Sequence, residues 1–237
     1  MFIDKGKTLS LVSDCGKLVT VRLQVNPRAR RLILRLDPKN GEAVAVAPST
    51  RQLKKAAAFA RSKLSWIVEQ QNIQKKQPIN EGAIIPLRGQ PCLITAKGVK
   101  RMPKLIEGDR LVLQLPGAPE TLAARALRYL KRAAKADLLE AVERHAATLG
   151  VKPGTISIRD TRTRWGSCSA SGNLSFSWRL VMAEPDILDY VAAHEVAHIL
   201  EMNHSPAFWA QVERTFPNWK QAKNWLRTNG DQLHAIG

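Results

Sequence analysis

The stretch His194-Glu195-Val196-Ala197-His198, followed by His204, decides how this chain is interpreted (HEVAHILEMNH, residues 194–204). Histidines at positions i and i+4 of a helix project from one face, so both imidazoles can reach a single metal ion. Glu195 stands beside the first of them and can act as general base toward a metal-activated water. Because a continuing helix would turn His204 away, we expect the helix to end near Met202–Asn203 and His204 to return as a third ligand.

Three of the chain's 5 histidines fall within these eleven residues, which makes a chance match improbable. The alternative is an amphipathic helix whose polar face happens to carry two histidines. Three neutral imidazoles suit zinc and leave one coordination position for water, as catalytic zinc sites require. The sequence therefore predicts one zinc ion per chain, bound by His194, His198 and His204, with Glu195 as the catalytic residue.

The charge of the chain is strongly positive and unevenly distributed. Its 37 Lys and Arg against 20 Asp and Glu give a net charge of +17 over 237 residues. Residues 1–118 contribute 22 basic and 8 acidic side chains, and residues 119–237 contribute the other 15 and 12. A basic first half favours nucleic acid, nucleotides or acidic proteins as partners, although a high isoelectric point alone explains it as well.

The chain carries no sign of a membrane or secreted protein. It contains no apolar run of the eighteen or so residues that cross a bilayer, and its first residues lack the apolar segment of a signal peptide. The three cysteines, Cys15, Cys92 and Cys168, are far apart and form no CxxC pair. We therefore expect reduced thiols and a cytoplasmic location.

The periodicity of the sequence predicts an α+β fold in two domains, with the boundary at Gly117-Ala118-Pro119. Residues 1–118 are expected to form a basic, β-hairpin-rich domain with one helix over about 50–74, and Asn40-Gly41 marks one hairpin. Residues 119–237 are expected to form the metal-binding domain. Its elements are a long helix over 120–149 closed by Gly150, strands over 155–160 and 173–181, the histidine helix from Pro185, and helices from Pro206 and over 219–227.

A short segment before the histidine helix is placed to bind an extended peptide. Arg164-Trp165-Gly166-Ser167-Cys168 can form an edge strand beside that helix, where a substrate can pair backbone to backbone. Arg162 and Arg164 flank this strand and can hold a carboxylate or phosphate with two hydrogen bonds, or they are solvated surface residues. Tyr190, one turn before His194, can stabilise an oxyanion or simply pack. Asp189 is interpreted as a helix N-terminal charge, and His145 and His234 as surface residues.

Residues 162–169 (RTRWGSCS) and 174–209 (LSFSWRLVMAEPDILDYVAAHEVAHILEMNHSPAFW) resemble the YgjP-like metal-dependent hydrolases, a family related to the SprT-like and WLM zinc peptidases. The resemblance extends into the first half through its basic hairpins. It implies a zincin-like catalytic domain in which zinc is held by His194, His198 and His204 and Glu195 is the base, and it implies a peptide or protein substrate.

Two other functions remain open at this point. A zinc-dependent hydrolase of nucleotides or other phosphoesters would use the same metal chemistry, and the basic half together with Arg162 and Arg164 would suit an anionic substrate. A nucleic-acid-binding protein with a structural metal is the third possibility, although structural zinc sites normally have four protein ligands including several cysteines.

Overall fold

The computed structural model describes residues 8–13, 16, 18–37, 40–73, 77–96, 102–161 and 163–237. Within the described part of the chain, contacts divide the protein into two compact units, Met1–Lys75 and Lys76–Gly237. Cys15 and Arg162, both singled out in the sequence, lie outside the described residues. The α+β class expected from the sequence is seen in both units.

The first unit is a four-stranded sheet with two helices. Its elements are β1 (Thr8–Val12), β2 (Leu18–Val25), β3 (Ile33–Leu36), β4 (Ala43–Ala47), α1 (Leu53–Ser62) and α2 (Leu64–Ile73). The strand order is β1-β2-β4-β3, with β2 and β4 parallel and the outer pairs antiparallel. Alternate residues of β2 are buried, and the alanines of β4 let α1 pack closely on the sheet.

The single helix expected over about 50–74 is wrong. A 3₁₀ turn (Thr50–Gln52) leads into α1, and α1 is separated from α2 by Lys63. The backbone of Lys63 leaves the helical region (φ −113°, ψ 20°), and the hydroxyl of Ser62 donates to the carbonyl of Phe59. A hydroxyl that competes for main-chain carbonyls favours a bend at this point.

The hairpin at Asn40-Gly41 is confirmed. Strands β3 and β4 pair antiparallel, and the amide of Asp37 donates to the carbonyl of Glu42 at 2.8 Å. Gly41 has φ 69°, a left-handed conformation that glycine adopts without strain.

The second unit begins with a sheet of the same topology as the first. Its strands are β5 (Ile84–Leu87), β6 (Gln90–Thr95), β7 (Lys104–Ile106) and β8 (Leu111–Gln114), in the order β5-β6-β8-β7. Strand β7 was not predicted. The apolar side of this sheet shares one core with α3 (Leu122–Leu149), which explains why the division lies after Lys75 and not at Gly117-Ala118-Pro119 as the sequence suggested.

The rest of the second unit is the part that positions the histidines. It contains α3, β9 (Ile156–Arg159), β10 (Gly166–Cys168), β11 (Leu174–Ser177), α4 (Pro185–Ala197), α5 (Pro206–Thr215) and α6 (Trp219–His234). Gly150 ends α3 in the left-handed conformation (φ 70°), as predicted. The strand expected over 173–181 stops at Ser177 and continues as a 3₁₀ turn.

Helix α6 is longer than predicted. It continues through Asn229-Gly230 to His234, because Gly230 is buried against another side chain and does not act as a helix terminator. In the ranges that the structure describes, no helix has both the length and the apolar character needed to cross a bilayer.

Candidate metal centre

Three histidine side chains converge at the end of α4. One ring nitrogen from each of His194, His198 and His204 lies within 4.8 Å of the others, and Nε2 of His194 is 3.1 Å from Nε2 of His204. Tetrahedral ligands at zinc–nitrogen distances of about 2.0–2.1 Å would be roughly 3.3 Å apart. The observed separation of the two Nε2 atoms is therefore close to that of ligands sharing one ion.

The chain brings His204 back by ending α4 early. The helix stops at Ala197, so the predicted end near Met202–Asn203 is wrong. The next turn tightens, since the amides of Ile199 and Leu200 donate to carbonyls only three residues back. The side-chain oxygen of Asn203 then accepts from the amide of Ser205 at 3.0 Å, which turns the chain around His204.

The hydrogen bonding of His198 orients its ring for metal binding. Its Nδ1 lies 2.9 Å from the carbonyl oxygen of Glu201. A carbonyl only accepts, so Nδ1 carries the hydrogen and Nε2 is left with a free lone pair. Metal-binding histidines are normally fixed by such a bond from the other ring nitrogen. The donor set and its geometry thus fit a divalent metal ion.

Aromatic side chains of α5 surround the three imidazoles. The ring of Phe208, which is fully buried, has its centroid 4.9, 4.4 and 4.9 Å from those of His194, His198 and His204. Burial, with smaller contributions from the neighbouring charges, lowers the pKa of His194 to about 3. Burial also lowers the pKa of His198. Both rings are therefore neutral at physiological pH, which is the form that binds metal.

Glu195 is buried beside His194 and packs against strand β10. A Cβ atom built on Gly166 would lie 2.5 Å from Oε1 of Glu195, so only glycine leaves room for this carboxylate. Burial raises the pKa of Glu195 to about 8, and the positive charge of Arg164 partly opposes this rise. The carboxylate is thus held in a dry position between the histidine helix and the strand.

Strand β10 is the edge strand that the sequence predicted. Its sheet has the order β10-β11-β9, so one side of β10 pairs with β11 and the other side is an edge. The preceding Trp165 is fixed by α6, because its ring stacks on His234 at 4.5 Å and a Cβ on Gly230 would lie only 2.9 Å from its Cζ2. His234 is therefore a packing residue and not the surface residue that we expected.

His145 is not a surface residue either. It is buried, and its Nε2 lies 2.8 Å from Asp189 and its Nδ1 2.6 Å from the hydroxyl of Thr215. Asp189 also pairs with Arg144 at 2.5 Å. Burial raises the pKa of Asp189, but the hydrogen bonds from His145 and Arg144 outweigh burial and lower it. These contacts tie together α3, α4 and α5, so Asp189 does more than complement the N-terminus of α4.

The other side chains predicted near the metal differ in their positions. Tyr190 is buried with its ring centroid 5.9 Å from that of His194, and burial raises its pKa to about 12. Arg164 is exposed and lies two residues before β10. Cys168 is a half-buried free thiol on β10, and burial, together with the charge of Glu195, raises its pKa. Tyr190, Arg164 and Cys168 therefore all lie around the histidines or Glu195.

The sequence analysis did not identify Trp219 and Lys223 as part of the aromatic cluster next to the histidines. Trp209 of α5 has its ring centroid 5.8 Å from those of both His194 and His204, and it stacks on Trp219 of α6 at 4.1 Å. The ammonium group of Lys223 lies 4.2 Å over the ring of Trp209. The i, i+4 spacing of Trp219 and Lys223 indicates that the two side chains share one face of a helix. It does not indicate that this face packs against Trp209.

Comparison with known proteins identifies the family of this chain. The model of the family described as "YgjP-like, metallopeptidase domain" matches residues 30–229. A comparison with curated proteins finds no match. Among solved structures, the crystal structure of the metallopeptidase zymogen of Pyrococcus abyssi abylysin is 23% identical and covers 39% of this chain and 93% of its own, with a TM-score of 0.37. Since the family model spans most of the chain, this protein belongs to the YgjP-like metallopeptidase family and is a metal-dependent hydrolase.

Proposed function

We propose that this protein is a zinc peptidase in which His194, His198 and His204 hold the metal and Glu195 is the general base. The observation that carries the proposal is the convergence of three imidazoles beside a buried carboxyl group that touches an edge strand. This combination offers a metal site, a proton acceptor and a surface for an extended peptide within one small region. Zinc is proposed over other divalent ions because an all-imidazole set suits it.

The proposed mechanism assigns separate tasks to the chain's own residues. When bound, zinc supplies a Lewis acid that polarises a carbonyl oxygen and makes water more acidic. Glu195 takes the proton from the attacking water and returns it to the departing amine. Burial raises the pKa of Glu195 toward the neutral range. A group whose pKa lies close to the working pH can both accept and return a proton. Gly166 keeps the carboxylate in place, and Phe208 excludes water from beneath the imidazoles.

Strand β10 is proposed to bind the substrate backbone. Its three residues, Gly166–Cys168, pair antiparallel with β11 through one edge only. An extended peptide can add to the other edge through main-chain hydrogen bonds, which recognise a peptide without requiring a particular side chain. Because Gly166 contacts Glu195, a peptide on this edge passes close to the base. A peptide or protein is therefore the substrate class that the geometry favours.

The decisive experiment compares wild type, Glu195→Gln and Glu201→Gln on a fluorescently labelled unstructured protein such as casein, with zinc content measured in parallel. Glu201 is a matched control, because it lies in the same stretch but contributes only its backbone carbonyl to His198. We expect Glu195→Gln to retain zinc and lose at least about 100-fold in turnover, as removal of a general base typically costs. Turnover that is unchanged in this variant would rule out the proposed base.

A phosphoester hydrolase is the competing proposal, supported by the exposed Arg164 near Glu195. Incubating the zinc-loaded protein with casein and with a nucleoside triphosphate separates the two proposals. Glu195→Gln must abolish whichever hydrolysis is catalysed by this site.

Nucleic-acid binding by the basic first half stays a prediction. It would appear as binding that weakens steeply with salt and survives Glu195→Gln. A cytoplasmic location likewise remains a proposal, resting on unpaired Cys92 and Cys168.

A further inference from the structure

One face of α6 lies along the metal site. At about 100° per residue, positions 219, 223, 226, 230 and 234 fall within roughly 80° of each other around the helix. Trp219, at one end of this face, stacks on Trp209 beside the histidines. Gly230 and His234, at the other end, hold Trp165 at the start of the edge strand β10. Lys223 lies between these two contacts and therefore faces the site.

The position of the Lys223 ammonium group is defined by aromatic rings. It lies 4.2 Å over Trp209 and 5.5 Å over Trp219. Since the centroid of Trp209 is 5.8 Å from that of His194, the ammonium group is at most about 10 Å from this imidazole. An extended peptide advances about 3.3 Å per residue, so this distance spans about three residues of a bound substrate.

No carboxylate in the described ranges neutralises the charge of Lys223. Lys223 forms no ion pair with a carboxylate among the residues that the structure describes, and its side chain is exposed. On the side of Glu195, Arg164 is also an exposed cation without a described ion pair.

We propose that Lys223, held over Trp209 and Trp219, forms a carboxylate-binding subsite that selects peptides with a negative charge within about three residues of the cleaved bond. This inference rests on the proposed peptidase function and adds a substrate preference to it. The indole rings restrict the ammonium group without pairing with its charge, since a cation over an aromatic face keeps donors free. A carboxylate can come from an Asp or Glu side chain or from the C-terminus of the substrate.

The test begins with a library of natural peptides digested by the zinc-loaded protein, with cleavage sites identified by mass spectrometry. The best site is then made as internally quenched peptides in matched pairs. One pair differs by Glu against Gln at a single position, and the other by a free against an amidated C-terminus. Wild type, Lys223→Gln and Lys220→Gln are compared by kcat/KM. Lys220 is a matched control, because it lies over Trp219 only.

We expect wild type to prefer the charged member of one pair by roughly two- to fivefold, the upper part of the range measured for exposed ion pairs. The preference should disappear in Lys223→Gln and persist in Lys220→Gln, and the pair that responds identifies the source of the carboxylate. Lys223→Glu should reverse the preference. Peptides that are cleaved without discrimination between charged and neutral members, or discrimination that survives Lys223→Gln, would overturn the subsite while leaving the peptidase proposal intact. No Glu195-dependent cleavage of any peptide would overturn both.

Discussion

Replacing Gly166 by alanine tests the contact on which the proposed catalysis depends. The added Cβ would lie 2.5 Å from Oε1, 2.6 Å from Cγ and 2.8 Å from Cδ of Glu195. Gly166 does not have a positive φ, so alanine can adopt its backbone conformation without strain. The substitution is therefore a steric change directed at one carboxylate.

The size of the effect follows from these distances. Ordinary contacts of a Cβ atom begin near 3.4 Å, so the carboxylate of Glu195, or the strand itself, must move by about 1 Å. A misplacement of this size typically costs about 100-fold in rate, which corresponds to about 2.7 kcal/mol of transition-state stabilisation. We expect the loss in kcat, because the imidazoles that hold the metal are not displaced by the added methyl group.

The assay is steady-state peptide hydrolysis by wild type, Gly166→Ala and Gly108→Ala, with metal content and thermal unfolding measured on the same samples. Gly108 is a suitable control, since a Cβ there would meet no atom within 4 Å and its φ is not positive. The expected pattern is a loss of activity in Gly166→Ala only, with full metal content in all three proteins.

Retention of wild-type kcat in Gly166→Ala would refute the reasoning. It would mean either that Glu195 tolerates displacement, and so is not the base, or that the strand yields without cost. Loss of metal together with activity would also contradict the reasoning. It would mean that the added methyl group displaces the imidazoles as well as the carboxylate of Glu195.

Three further predictions follow from other contacts. His204→Ala should weaken zinc binding by roughly 100-fold or more, measured by competition with a chelating dye, because two imidazoles remain. Asp189→Ala should lower the free energy of unfolding by about 1–3 kcal/mol at pH 7, because it leaves the buried His145 without its acceptor. Since the pKa of Asp189 is lowered in the folded state, its contribution is present above its unfolded pKa of about 3.9 and is lost as the pH falls, so the two denaturation curves should converge in acid. Gly230→Ala should reduce kcat/KM with little loss of stability, because its Cβ would press on Trp165 at 2.9 Å while alanine gains about 1 kcal/mol as a helix former.

Local patterns in the sequence predicted the parts of the site that depend on local geometry. The i, i+4 spacing of His194 and His198 requires only a helix, and the return of His204 requires only that the helix end. Gly150 and Asn40-Gly41 mark a helix end and a hairpin through their own backbone preferences, and both predictions are confirmed. These signals are reliable because the backbone conformation at each position depends mainly on interactions among a few neighbouring residues.

Three of the errors concern features that distant residues decide. A glycine after an asparagine, as at Gly230, is typical of a helix end, yet α6 continues to His234. The lack of a side chain at Gly230 instead makes room for Trp165, which is distant in the sequence. His145 has no ligand-like spacing, yet it is buried by partners on α4 and α5. The expected domain boundary failed for the same reason, since the apolar positions of β5–β8 do not reveal that their partner is α3.

The precision of the site depends on two positions that have no side chain. Gly166 lets the edge strand touch Glu195, and Gly230 lets α6 touch Trp165, which directly precedes that strand. A side chain at either position would widen the gap in which the proposed mechanism places both the substrate backbone and the carboxylate of Glu195. Helix α6 contacts Trp165 next to the edge strand and also carries Lys223, whose ammonium group lies over Trp209. Displacing α6 would therefore disturb both the alignment of the substrate and the proposed preference for charged peptides. Lys223→Gln should remove only the preference for charged peptides. This difference separates a positioning role of the helix from a recognition role of its lysine.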